Sequence, residues 1–500
     1  MENKDDGGGE NGNPLKWWIL LTVIIGTFLG RLDQTIVNLA LPKIIDTFAI
    51  TVSQAGWIAT AYILANAVFV PVWGKLGDTI GRKKVYIFGF TIFIAGSILA
   101  GLAWDLKSML VFRVIQAVAS SADYPTAMAI LAVTFKQGRE RAQALGLWSA
   151  SFAAAAVFGP LIGGPLIDNF GWRSVFLINL PVGIVGLAMA IIFVEESVSE
   201  KKTVRFDWWG AITLGIALSA LVLVLDKGLD WGWTSTEAVL CYLAVVVFTA
   251  IFYIIDLNHP EPIVDFKFFR IGAFNNTLIN NFIIFMGMMG GVFLLPIFAQ
   301  TYMGYNATQT GLLFMPMAFG LMAAAPLGAS LTGRVQPRYV IALSTLGAGI
   351  GLYIFTGLDA RSGPLDVIIP ITLMAFCMGF GMAQRTNVIA SIVEDNEMGM
   401  ASSTLALARN IAGAFGIALF STLLKYSTES GIMEIARNTV VRSSDPLIRG
   451  KVMGLIVLKA QIEAYHTVFV TAAILVVIGA FLALNIIVEE RGGKAHVMVE

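Results

Sequence analysis

A chain of 500 residues that is 57% hydrophobic, 13% charged and of mean hydropathy +0.78 is excluded from the ordinary soluble class, whose members carry about 25% charged residues. Its 33 basic and 33 acidic residues balance to zero formal charge with no basic block, so no nucleic-acid partner is expected. Cys241 and Cys377 lie far apart in apolar runs and define neither a disulfide framework nor a thiolate metal site.

The chain opens on MENKDDGGGENGNP, a polar, glycine-rich stretch at 1–14 that reads as a disordered tail and not as a cleavable leader. Apolar runs of about 20 residues follow, the length that crosses a bilayer core as a helix. They fall near 16–39, 54–73, 84–104, 108–135, 142–167, 174–194, 208–226, 236–257, 272–298, 309–332, 339–357, 366–391, 400–424 and 464–488. The expectation is an all-α polytopic membrane protein of 14 transmembrane helices.

Basic residues set the orientation of such a chain. They crowd the turns GKLGDTIGRKK, KQGRERAQ and SEKKTVRFD, whereas the short loops of the opposite face hold only Lys43, Lys107, Arg173, Lys227 and Arg361. Both termini are therefore expected in the cytoplasm, in a multi-pass protein of the cell (plasma or inner) membrane. Arg31, Arg113, Arg385 and Arg409 belong to no loop.

Within the turn after the second span, Gly74, Gly77 and Gly81 allow a sharp bend and close helix approach. Asp78 is placed to accept from backbone N–H groups or an adjacent basic residue, and Arg82 to hold the turn on the cytoplasmic side, so these five residues are expected to form a cytoplasmic gate. A faint gapless repeat pairs PVWGKLGDTIGRKKVYI from Pro71 with PLGASLTGRVQPRYVI from Pro326, sharing Leu76/Leu331 and Val85/Val340. Internal repeats of this kind mark many secondary transporters.

GKLGDTIGRKK resembles the helix 2–3 signature of the major facilitator superfamily. RLDQTIVNLALPKI on helix 1 is similar to that of its fourteen-span drug:proton antiporters (EmrB/QacA type). FGPLIGGPLID, with Gly159, Pro160, Gly163, Gly164 and Pro165, resembles the helix 5 motif linked there to antiport. HPEPIVDFKFFR, LLPIFAQTYMGYNATQTGLLFMP and GMASSTLALARNIAGAFG extend the resemblance over nearly the whole chain. It implies two six-helix bundles around a central cavity lined by helices 1, 4, 9 and 12, with helices 7 and 8 as an inserted pair. The implied division is a tail at 1–14, a bundle at 15–195, a linker with the inserted helices at 196–270, a bundle at 271–490 with a long outer loop at 425–463, and a tail at 491–500. The chain departs from the family pattern at Ala117, where a glycine is usual, and at Asp123, Tyr124 and Arg385. These departures open the substrate class beyond lipophilic cations.

Charges at membrane depth are costly and mark function. At 1.5 Å per residue, Asp33 and Arg113 both fall in the outer third of their helices, where they can meet. The resemblance gives them the proton-coupling role; the plainer alternative is a static salt bridge. Gln116, Ser120 and Asp123 form one polar stripe with Arg113 on helix 4. Asp123 and Arg385 both fall toward the cytoplasmic side, either as an inner gate pair or as a substrate site in which Asp123 takes a cationic group and Arg385 with Arg31 an anionic one. For Arg385 the plain reading is a side chain snorkelling to the interface. Further substrate-binding candidates are Asn38, Tyr62, Asn66, Trp148, Asn280 and Asn281, with Met286, Met288 and Met289 as an adaptable wall.

No G-x-x-x-x-G-K-[ST], H-E-x-x-H or G-x-S-x-G occurs, so an ATP-driven pump or a hydrolytic enzyme is not expected, nor any cofactor or metal. The expected function is proton-coupled antiport exporting a lipophilic or amphipathic small molecule, with protons and the lipid bilayer as the other partners and a monomer as the unit. The alternatives are export of an anionic or zwitterionic metabolite or lipid, and proton symport.

Overall fold

A computed structural model describes residues 15–135, 139–197, 207–260, 262–331, 334–393, 398–439, 445–487, 490–491 and 494–495. Apolar runs this long satisfy their backbone polar groups only as helices when water is absent, and helices carry the described chain. They are α1 (Lys16–Phe48), α2 (Val52–Ile80), α3 (Arg82–Gly101), α4 (Leu106–Ser120), α5 (Asp123–Thr134), α6 (Arg139–Phe170), α7 (Ser174–Leu177) and α8 (Asn179–Phe193), then α9 (Trp208–Trp231) and α10 (Thr236–Asn258). The last six are α11 (Gly272–Thr301), α12 (Ala307–Ala329), α13 (Pro337–Ile354), α14 (Pro364–Ile392), α15 (Met398–Asn438) and α16 (Pro446–Ala483). Among the described residues, 12 helical segments are long and apolar enough to cross a membrane by length and composition. The segments 106–134 and Arg139–Phe170 fall outside that set.

Side chains end the helices where the chain turns. Thr51, Asp105 and Asn306 each close a capping box, with Gln54, Ser108 and Gln309 respectively. The N–H donated by Ser108 also holds the Asp105 carboxyl below the usual carboxylate range. At the turn between α2 and α3, Gly81 has φ +116°, a conformation closed to other residues without strain.

Helices α1 to α8 pack with one another, as do α11 to α16, and the groups meet along α2 with α15, α6 with α12 and α1 with α11. Direct hydrogen bonds across this seam lie toward the end of the molecule away from the start of α1, here the distal end. There Gln300 donates to the Leu39 carbonyl at 2.9 Å. The Asp168 carboxylate accepts from the backbone N–H groups of Ala307 at 3.1 Å and Thr308 at 2.9 Å. Gly164 and Gly311 leave no room for a side chain, since a Cβ would fall on the Thr308 or Pro160 backbone. The α9–α10 hairpin packs on both groups: Asp226 accepts from Ser53 and, at 2.6 Å, from the Trp57 indole of α2, while Thr422 of α15 donates to the Leu225 carbonyl at 3.0 Å.

Two expectations change. The fourth span is not one straight helix but α4 and α5, parted at Ser121–Ala122. Pro125 has no N–H for the Ser121 carbonyl, and its ring crowds that oxygen. The stretch 425–463, expected as a long loop, instead continues α15 to Asn438 and begins α16 at Pro446. Gly431 packs against Ala460 there, so the two extensions form a hairpin.

Candidate functional site

The polar residues of the first helical group gather in three linked knots on α1, α2, α4 and α5. The distal knot centres on Asp33, fully buried and bonded by the Arg113 guanidinium at 2.6 Å. The other oxygen of that carboxylate accepts twice. Gln116 donates to it at 3.0 Å and Asn179, at the start of α8, at 2.9 Å. Arg113 also donates to the Gln116 amide oxygen at 2.6 Å, and its planar head lies 4.1 Å from the Tyr62 ring centre. Such a pair is held because each charge has a partner and few hydrogen-bonding positions are left bare.

The second knot faces α2. Tyr62 and Asn66 both donate to the Ser120 hydroxyl, at 2.7 and 3.1 Å. Tyr62 therefore joins Arg113 to the end of α4.

The third knot surrounds Asp123, the first residue of α5. Thr27 of α1 donates to one of its oxygens at 2.7 Å, and the Trp148 indole donates to Thr27 at 2.9 Å. The other oxygen of Asp123 is buried without a hydrogen-bond partner. Beside it, a crevice lined by Gly26, Tyr86, Phe90, Ser120 and Asp123 leaves about 10 Å³, close to the room one water needs. The single stripe expected along helix 4 is thus divided: Gln116, and Asp123 beyond the break, face α1, while Ser120 faces α2.

In the second group, Arg385 of α14 is fully buried. It donates through Nε to Asn280 of α11 at 2.7 Å and through a terminal nitrogen to Thr345 of α13 at 2.9 Å. Asn280 in turn donates to the Gly479 carbonyl of α16 at 2.9 Å. Arg385 therefore does not snorkel, and it does not pair with Asp123: each is turned into its own helical group, where neutral hydrogen-bond partners reach it first. Arg409 of α15, half-buried, donates to Asn281 at 3.4 Å and lies 5.2 Å from the Phe285 ring centre. Arg31 donates to Gln34 at 3.1 Å. Asn38 is half-buried on α1 and joins none of the knots.

The basic turn is clasped from α8. The Arg82 N–H donates to the Ser197 carbonyl at 3.0 Å, the Lys83 N–H to Glu196 at 3.1 Å, and the Lys83 ammonium to the Ile191 carbonyl at 2.8 Å. A Cβ at Gly81 would meet the Glu196 carboxylate, while Gly77 lies against Thr126 of α5. Position 74 and the Asp78 side chain lie outside those described. In the helix 5 motif, Gly159 packs on Thr35, Gly163 on Ile36 and Gly164 on Thr308, Pro160 backs Gly311, and Pro165 is exposed.

Sequence reasoning missed Asn179, Glu196 and Asp168. Asp168 closes the motif FGPLIGGPLID, and that adjacency was the available signal.

The sequence pattern of the Major Facilitator Superfamily matches residues 23–417. The multidrug resistance protein Stp of Mycobacterium tuberculosis is 31% identical over 408 residues, covering 81% of this chain and 76% of that protein. The multidrug transporter protein MdtP of Bacillus subtilis is 30% identical over 420 residues, covering 83% and 76%. Among solved structures, a bacterial homologue of the human lysosomal transporter Spinster superposes with a TM-score of 0.67 at 17% identity, over 94% of this chain and 97% of that one. That likeness bears on the fold alone.

Proposed function

The chain belongs to the major facilitator superfamily of membrane transporters, and we propose that it is a proton-coupled antiporter exporting lipophilic or amphipathic small molecules. The observation that carries the coupling is the Asp33–Arg113 pair, buried between α1 and α4 in a chain with multidrug-resistance relatives. A carboxylate in so dry a place needs a counter-ion or a proton. Arg113 supplies the first in the arrangement seen. A shift of α4 against α1 that withdraws Arg113 leaves protonation as the remaining way to remove the charge. Asp33 is then a proton carrier whose loading is tied to the conformation of the bundle.

In this reading the chain crosses an inner or plasma membrane fourteen times, counting the broken α4–α5 and the proline-bearing α6, with both termini in the cytoplasm. The bundles are 15–195 and 271–490, and α9–α10 is the inserted pair. The distal end is the outer side. The Asp168 bonds and the α6–α12 contact support a state closed there, with Gly159, Gly163 and Gly164 as the surfaces on which the bundles rock. Gly77, Gly81 and Arg82, clasped by Glu196, hold the cytoplasmic turn. Tyr62, Asn66, Gln116 and Trp148 serve the coupling knots.

The test uses everted vesicles with an acidified lumen, following lumenal pH as lipophilic cations, anions and zwitterions are added. Proton release that depends on substrate and vanishes in Asp33→Asn is the expected result. Release that persists undiminished in Asp33→Asn removes Asp33 from the coupling.

A further inference from the structure

Arg385 and Arg409 differ from Arg113 in one respect: neither has an acid. Among the described residues no carboxylate lies within ion-pairing distance of either. The neighbouring asparagines Asn280 and Asn281 on α11 hold the two guanidiniums, so the two charges are bound at consecutive positions of one helix. One terminal nitrogen of Arg385 and the amide nitrogen of Asn281 are buried without a hydrogen-bond partner. Two positive charges set side by side in a low-dielectric interior, with donors left over, are costly unless an anion joins them.

Their positions differ in access. Arg385 is sealed among α11, α13 and α14, whereas Arg409 keeps an open edge beside the Phe285 ring. The wall around Arg409 therefore combines a cation, the Asn281 amide and the Phe285 ring.

We propose that Arg409, with Arg385 behind it and Asn281 beside it, forms an anion subsite that takes the carboxylate or similar acidic head of an aromatic, amphipathic substrate. This rests on the transporter reading above and narrows its substrate class. Arg409 meets the acid through its planar fork of N–H donors. Arg385 is a positioning residue that adds field without contact. The aromatic body lies on Phe285.

Binding is measured by calorimetry at equilibrium, without a proton gradient, on the full chain in nanodiscs of neutral lipid with empty discs subtracted. Three probes of one shape are compared: anthracene-9-carboxylate, its carboxamide and 9-(aminomethyl)anthracene. The expected result is a carboxylate preference of about ten-fold or more over the amide, as charge-assisted hydrogen bonds provide. Arg409→Gln abolishes that preference. Arg409→Lys, which keeps the charge but loses the fork, retains part of it. Lys459→Gln, which removes a distant surface charge, leaves it intact. Equal affinity for the three probes, no binding of any, or a preference that survives Arg409→Gln overturns the subsite. A preference for the aminomethyl probe also overturns it and leaves proton-coupled export standing, since the two are read in separate experiments.

Discussion

Asp33 shows how much a single buried carboxylate demands of its surroundings. Arg113, Gln116 and Asn179 spend donors on it, drawn from α4 and α8. Removing only the cation leaves the charge stranded, so Arg113→Ala is expected to cost about 3–5 kcal/mol of stability. Adding Asp33→Asn recovers a good part of that loss, because the stranded charge goes with it. Thermal unfolding of the four proteins of the cycle in detergent checks this, and simple additivity refutes the coupling. Asn179→Ala removes a hydrogen bond to a charged group, and a loss of about 1.5–3 kcal/mol is expected in the same assay. Asp33 and Arg113 were legible because each is a charge in an apolar run at matching depth. Asn179 was not, because an amide in such a run carries no sign of which carboxylate it serves.

Among the elements, the contact of α6 with α12 is an exacting one. Its glycines admit one backbone to another, and Asp168 accepts the free N–H groups at the start of α12. A side chain at Gly164 has nowhere to go without parting the helices. Gly164→Val is therefore expected to open the distal seam and stop transport. A cysteine placed at buried Ala307 reports it: membrane-impermeant maleimide labels Ala307→Cys slowly in the parent and several-fold faster beside Gly164→Val. Equal labelling rates mean the seam tolerates the substitution. The glycine-proline pattern made this surface legible, though not its partner, since nothing in one helix names the helix it packs on. The break between α4 and α5 was written in Pro125. Its consequence, turning Asp123 toward Thr27, required the neighbouring helices to be in place. The extensions of α15 and α16 escaped because their mixed polar and apolar residues look the same in a loop as in a helix that stands clear of lipid.

At the scale of the molecule, the proposed rocking of two bundles, with the α9–α10 hairpin packed on both, has a cost that is distributed. Asp168 sits at an exposed edge, where water replaces a broken hydrogen bond at little cost. Asp33 is fully buried, and in the proposed cycle breaking its knot calls for a proton, so that cheap bonds lie where the parts would separate and expensive ones where the ion would be held. Spin labels at Trp104 in the distal loop of the first group and Lys451 on the α15–α16 hairpin are expected to give a distance distribution that shifts when substrate is added. A distribution fixed under all conditions argues against rocking.

That hairpin has a mechanical consequence. α15 has 41 residues and α16 has 38, so at 1.5 Å each they run about 60 and 57 Å, roughly twice the thickness of a bilayer core. Their far ends stand clear of the membrane as continuations of helices rooted in the second bundle, with no joint to absorb a turn. In the proposed rocking, a small rotation at the root would become a larger sweep at the tip, and the extension would be a pointer whose angle registers which way the transporter faces.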